Sequence, residues 1–229
     1  MRQDRIVDDV AIAILDRRWI CWRSETREAD GQDSDIAHAM IADGFCLFES
    51  ELGLCGIAWS ALGVCAVQLP ERGSEVMRPR MQRRTGAQET LPPVQVAQAI
   101  EMMLRLLKGE PVMLNAIALD LGDASQFNRR VWTITQTIAP GETLTYGEVA
   151  RRIGEPSAAR AVGRALGENP CPIIVPCHRV LAAGGGTGGF SGGEGVETKM
   201  RLLSIERAQT NALPSLFDDL PLVSRPRRL

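Results

Sequence analysis

The stretch Pro170-Cys171-Pro172-Ile173-Ile174-Val175-Pro176-Cys177-His178-Arg179-Val180 constrains the chain most. An apolar run closed by prolines leads directly into a thiol, an imidazole and a guanidinium. A thiol is a good nucleophile only as the thiolate, so it needs a base or a positive environment. Adjacent side chains on a regular helix or strand do not face each other. Cys177 and His178 can therefore cooperate only on an irregular backbone or through a bridging water. A structural cysteine with a chance histidine neighbour is the other reading, and spacing alone leaves both open.

The 229 residues suit one large domain or two small ones, and 45% hydrophobic content suffices for a sizeable core. A net charge of −2 argues against a strongly basic nucleic-acid binder. The second half is nevertheless mildly basic, with Arg129, Arg130, Arg151, Arg152, Arg160, Arg164 and Arg179 against Glu142, Glu148, Glu155 and Glu168. That suits a small phosphate-facing surface. The cysteines at 21, 46, 55, 65, 171 and 177 form no C-x-x-C pair, and His38 lies far from His178. No zinc pattern results, so no metal is expected. With no secretory signal and no stretch of membrane-spanning length, a cytoplasmic, reduced protein without membrane association is expected.

Residues 1–43 read as an N-terminal extension, helical over Val7 to Trp19 and polar over 24–33. Three short apolar runs between Phe45 and Leu69, punctuated by glycines, predict an antiparallel meander in which Cys46, Cys55 and Cys65 are buried. Gly73 to Arg84 reads as helical in part, and Val94 to Leu107 as a helix. Residues 45–120 thus read as a small α+β domain. Asp123 or Ser125 can cap a next helix carrying Phe127, Val131, Ile134 and Ile138 on one face, ended by Pro140-Gly141. Thr145-Tyr146-Gly147-Glu148 is a capping box starting a short helix to Ile153. After the turn at Gly154-Glu155-Pro156, Ser157 is expected to cap a further helix to about Glu168, which completes a helix-turn-helix arrangement.

That further helix opens with Ala158, Ala159, Ala161 and Gly163, all small, around the single long side chain of Arg160. Small residues admit another surface close to the backbone, and a lone cation there can meet phosphates or probe a groove. A packed alanine-rich helix with a solvated arginine is the alternative. The glycines from 184 to 193, interrupted by Phe190-Ser191, suggest a loop passing near a ligand or another backbone. The last helix, about Val196 to Ala208, is expected to bury Val196, Met200, Leu202 and Leu203. Glu206 shares the face of the two leucines. A carboxylate facing inward needs a partner, and His178 is the nearest unassigned one; an exposed helix-end glutamate is the other reading.

Taken in order, Thr145-Tyr146-Gly147-Glu148-Val149-Ala150, Ala158-Ala159-Arg160-Ala161-Val162-Gly163, Asn169-Pro170, Pro172 to Val180 and Phe190-Ser191-Gly192-Gly193 resemble the O6-alkylguanine-DNA alkyltransferases, also called methylated-DNA–protein-cysteine methyltransferases. The resemblance covers roughly residues 45–208. It implies an α/β (α+β) fold: a ribonuclease-H-like domain over 44–121, then a winged helix-turn-helix alkyltransferase domain over 122–208, with a tail over 209–229. It implies direct, single-use transfer of an alkyl group from O6-alkylguanine, and from O4-alkylthymine, in double-stranded DNA. No metal or cofactor takes part, and the protein acts as a monomer.

By the same resemblance the helix-turn-helix enters the minor groove and the damaged base is flipped out. Cys177 is the alkyl acceptor. His178 takes its proton through a water, and Glu206 orients His178. Asn169 braces the turn, and Tyr146 crowds the phosphate and donates a proton to the base. Arg160 fills the gap in the stack, Ala158, Ala159 and Gly163 line the approach, and the Ser191 backbone donates to O6. Phe190 stands where many members carry Tyr. Residues 1–43 and 209–229 have no counterpart in the shared core. A lesion-binding protein of the same fold that does not repair is the alternative function.

Overall fold

The computed structural model describes residues 42–71 and 76–208. The expected helix in the N-terminal extension and the tail 209–229 lie outside the described residues. Strands β1 (Gly44–Ser50), β2 (Gly53–Ser60) and β3 (Gly63–Gln68) form an antiparallel sheet in chain order, the expected meander. Alternation along the strands sends residues to two faces. Phe45 and Leu47 pack under helix α1 (Met77–Thr85) with Ala58, Met77 and Met81. Cys46, Phe48, Ile57 and Trp59 pack on the opposite side against helix α2 (Val94–Leu107). Cys46, Cys55 and Cys65 are buried as expected.

The segment after α2 returns along β3: Val64 N–H donates to the Ala118 carbonyl and Asp120 N–H to the Val64 carbonyl, both at 2.9 Å. Gly63 permits this approach. A Cβ there would sit 2.5 Å from the Ala118 oxygen, and its φ of +143° is strained for other residues.

Helix α3 (Gln126–Gln136) begins at Ser125, whose Oγ accepts from Asn128 N–H at 3.1 Å. It stops before the expected Pro140-Gly141. Thr137 directs both its N–H and its hydroxyl to the Ile134 carbonyl, tightening the last turn, and Ile138 is buried beyond the helix. Strand β4 (Leu144–Thr145) pairs in parallel with β5 (Val180–Leu181). Helix α4 (Tyr146–Arg152) starts from the expected capping box, with both reciprocal bonds between Thr145 and Glu148 present.

Helix α5 (Ala159–Gly167) departs from expectation at its start. Ser157 does not cap it. Ala158 N–H donates to the Glu155 carbonyl, so a turn runs through Ser157 and Ala158 becomes the N-cap without a side-chain acceptor. In helix α6 (Val196–Ile205) the buried residues are Thr198, Lys199, Leu202 and Leu203, whereas Val196 and Met200 are exposed. The helix is therefore rotated from the face expected, turning Lys199 inward.

Two cores meet at the proline-bounded segment. Cys171, Ile173, Ile174 and Leu202 belong to the core beneath the sheet and α2. Val175, Cys177 and Val180 belong to the core formed by α3, α4 and α5. The segment is thus fixed from both sides, and residues 171 to 181 are all buried.

Candidate active site

The backbone through this segment is irregular, as the Cys-His adjacency requires. Ile173 holds a φ of +75°, a left-handed conformation that costs a β-branched residue about 1–3 kcal/mol. Val175 N–H closes the turn on the Cys171 carbonyl at 2.9 Å. Cys177, His178 and Arg179 then form one turn of 3-10 helix before β5.

Cys177 retains 9% exposure and opens onto a cleft of about 720 Å³, inside the ~300–1,000 Å³ range of small-molecule sites. Tyr146, Ala159, Arg160, Gly163, Phe190 and Ser191 share its lining. Of the residues expected from sequence, the cleft gathers Cys177, Tyr146, Arg160, Gly163, Ala159 and Ser191. Ala158 is not part of the lining; it stands at the N-cap of α5. Asn169, His178 and Glu206 are not among the residues that line the cleft.

Asn169 Nδ2 donates to Cys177 Sγ at 3.3 Å and to the Val175 carbonyl at 2.9 Å, and its Oδ1 accepts from Cys171 N–H at 3.0 Å. Burial pushes the Cys177 thiol up, opposed by the Asn169 hydrogen bond and by the nearby Lys199 ammonium. The resting group is a protonated thiol.

His178 Nε2 lies 3.0 Å from Glu206 Oε1, with both side chains buried. Arg179 donates through Nε to Oε2 and through NH2 to Oε1, each at 2.8 Å, and through NH1 to the Ile138 carbonyl at 2.5 Å. Arg179 therefore holds Glu206 and is not the thiol's charge partner, a correction to the simplest reading of the pentapeptide. Burial pushes the Glu206 carboxyl up, but the hydrogen bonds from His178 and Arg179 outweigh it and hold it at about 2. An ionised carboxylate only accepts, so Nε2 carries the hydrogen and Nδ1 keeps the lone pair. Nδ1 is buried and has no hydrogen-bond partner among the described residues. Burial depresses the His178 pKa, more than Glu206 raises it, so the ring is neutral and able to take a proton.

Lys199 is the residue that sequence reasoning missed. It is fully buried, its Nζ donates to the Val180 carbonyl at 2.6 Å, and burial brings its pKa down to about 8 against the pull of Cys177. No periodicity argument places a lysine inside; the only hint was its position one turn before Leu202 and Leu203.

Tyr146 is half-buried at the start of α4, and its hydroxyl donates to the Gly189 carbonyl at 3.4 Å. Burial, reinforced by Cys177, raises its pKa, which keeps the phenol protonated. Gly188 makes room for it: a Cβ there would lie 2.7 Å from the hydroxyl and 2.8 Å from the ring. The Ser191 hydroxyl donates to the Gly167 carbonyl at 3.1 Å, tying the glycine-rich loop to the end of α5.

On the outer surface Arg129 and Arg130 are committed to neighbouring carbonyls and, for Arg130, to Glu155. Arg160 and Arg164 are exposed. Among the described residues no group of three or more His, Cys, Asp or Glu could hold a metal ion, and no helix is long and apolar enough to cross a membrane.

Residues 126–208 match the family model described as 6-O-methylguanine DNA methyltransferase, DNA binding domain. The chain is 47% identical over 135 residues to the methylated-DNA–protein-cysteine methyltransferase of Mycolicibacterium paratuberculosis, spanning 59% of this chain and 78% of that protein. It is 34% identical over 151 residues to the protein of that name from Methanothermobacter thermautotrophicus, spanning 66% of this chain and 78% of that one. Its fold is similar to the crystal structure of Mycobacterium tuberculosis OGT in complex with DNA, with a TM-score of 0.59, 34% identity, and coverage of 72% of this chain and 92% of that one. Sequence and mixed α/β fold agree: the chain belongs to the methylated-DNA–protein-cysteine methyltransferase family.

Proposed function

We propose that this protein repairs DNA by moving the alkyl group from O6 of an alkylated guanine, and from O4 of an alkylated thymine, onto its own Cys177, once per molecule. The observation that carries the proposal is one arrangement of side chains: a thiol held by Asn169, next to a neutral His178 whose Nε2 is fixed by an ionised Glu206. That order leaves Nδ1 as the one basic nitrogen. A buried, neutral thiol is inert until its proton is removed, which suits a nucleophile used once.

The proton of Cys177 passes through a water to His178 Nδ1. Glu206 accepts the Nε2 hydrogen and stabilises the imidazolium, and Arg179 fixes Glu206. The thiolate attacks the carbon bonded to O6 in line. A C–S bond forms, the C–O bond breaks, and its electron pair goes to the base. Tyr146, kept protonated by burial, gives a proton to the guanine ring, and its phenolate is reprotonated from solvent as His178 releases the thiol proton there. The thioether is not hydrolysed, so each molecule reacts once, and no step of this scheme calls on a metal or a soluble cofactor.

We read α4 and α5 as a helix-turn-helix set in the minor groove, within a winged domain over residues 122–208 that follows a ribonuclease-H-like domain over 44–121. The small residues Ala158, Ala159 and Gly163 would allow close approach, and the exposed Arg160 would fill the gap left by a flipped base. The Ser191 backbone would donate to O6. The protein would act as a cytoplasmic monomer.

The test is a duplex carrying one O6-methylguanine. Wild-type protein should remove the lesion, whereas Cys177→Ser should bind the duplex and leave the lesion intact. Tight binding by the wild type with no loss of the lesion would replace this function with lesion recognition alone.

A further inference from the structure

We propose that Arg84, on helix α1 in the other half of the chain, is a positioning residue for Cys177, acting through Pro170 and Asn169. The inference rests on the reading of Cys177 as the acceptor.

Pro170 has no N–H, so its carbonyl is the only backbone group by which it can be anchored. That carbonyl accepts two bonds from the N-terminal half: Val67 N–H at 2.9 Å and Arg84 NH2 at 3.0 Å. Arg84 NH1 donates to the Val67 carbonyl at 3.2 Å and to Gln68 Oε1 at 3.1 Å. One planar guanidinium thus joins the end of β3 to the turn before the active-site segment, a geometry a point-charge ammonium cannot reproduce.

The turn it holds is the one that orients Asn169. Asn169 Oδ1 reaches past Pro170 to Cys171 N–H, which aims Nδ2 at the Val175 carbonyl and at Cys177 Sγ. Displacing Pro170 displaces the donor on the sulfur. A second cavity of about 220 Å³ is lined by Gln68, Arg80, Arg84, Asn169, Pro172 and Cys177. The bonds to Pro170 fix the turn that carries Asn169, alongside the packing of Cys171, Ile173 and Ile174 in the core beneath the sheet.

Arg84→Ala should slow single-turnover transfer from a methylated duplex by about tenfold or more, the scale expected when a reacting group is misplaced. Duplex affinity should stay within about twofold, since Arg84 lies outside the cleft. Alkylation of Cys177 by iodoacetamide without DNA should need higher pH than in the wild type, because the Asn169 bond favours the thiolate. Arg84→Lys should fall between the two. If Arg84→Ala does not fold, Arg84→Lys and Gln68→Leu carry the same comparison. Folded variants with wild-type transfer rate and wild-type pH profile, changed only in melting temperature, would overturn the inference. The iodoacetamide arm reads the position of the thiol even if the wild type transfers nothing from DNA, so failure of the repair reading and failure of this one are separable.

Discussion

Replacing Glu206 with Gln tests the buried polar cluster that the mechanism depends on. Holding this carboxyl at about 2 against its ordinary 4.5 corresponds to about 3 kcal/mol of folding stability. The same figure follows from the other side of the pair, since leaving Arg179 buried without its partner costs about 3–5 kcal/mol. An amide also offers one oxygen where the carboxylate offers two. Oε1 serves both His178 and Arg179, and Oε2 serves Arg179. Whichever way the amide is turned, its NH2 faces a donor.

Urea denaturation at neutral pH should show Glu206→Gln destabilised by about 3 kcal/mol. The pH dependence should differ too. A depressed carboxyl contributes fully above about 4.5 and loses its contribution as pH falls towards 2. Wild-type stability should therefore decline through that window, and the variant should lack this component. Transfer should fall by about a hundredfold or more, because His178 Nδ1 is no longer the assured base. A variant within about 0.5 kcal/mol of wild type, with the same acid limb, would refute the reasoning.

Three other outcomes follow from single contacts. Gly188→Ala places a methyl group against the Tyr146 hydroxyl at a φ of +69°; it should cost about 1–2 kcal/mol in thermal denaturation and slow transfer by displacing Tyr146. Thr145→Ala removes one half of the capping box and should cost about 1 kcal/mol, with duplex affinity reduced because α4 frays at its start. Lys199→Met keeps a long apolar stem but removes the cation that favours the thiolate; its iodoacetamide reaction should be several-fold slower at neutral pH, measured by loss of free thiol.

Much of this arrangement was legible in the residues. Short apolar runs punctuated by glycines predicted the meander, and the helix over Val94 to Leu107 has the predicted limits. The capping box formed because Thr145 and Glu148 need only local geometry. Glu206 sharing a face with Leu202 and Leu203 offered its pairing with His178 as one of two readings, and the structure shows that one. The same argument misplaced Val196 and Met200, because hydrophobicity cannot report that Lys199 finds a carbonyl acceptor inside. Ser157 was a sound cap by type, but the preceding turn used up its position. Contacts between distant segments were not readable: nothing local links Arg84 to Pro170, or Arg179 to the far end of α6.

The most direct measurement is a count. The protein is titrated with excess duplex containing O6-methylguanine, and transferred methyl groups are located by peptide mass spectrometry. One methyl per molecule, on Cys177, reaching a plateau that further duplex does not raise, is the predicted result. Continued turnover beyond one equivalent, or methyl transfer that persists in Cys177→Ser, would contradict it.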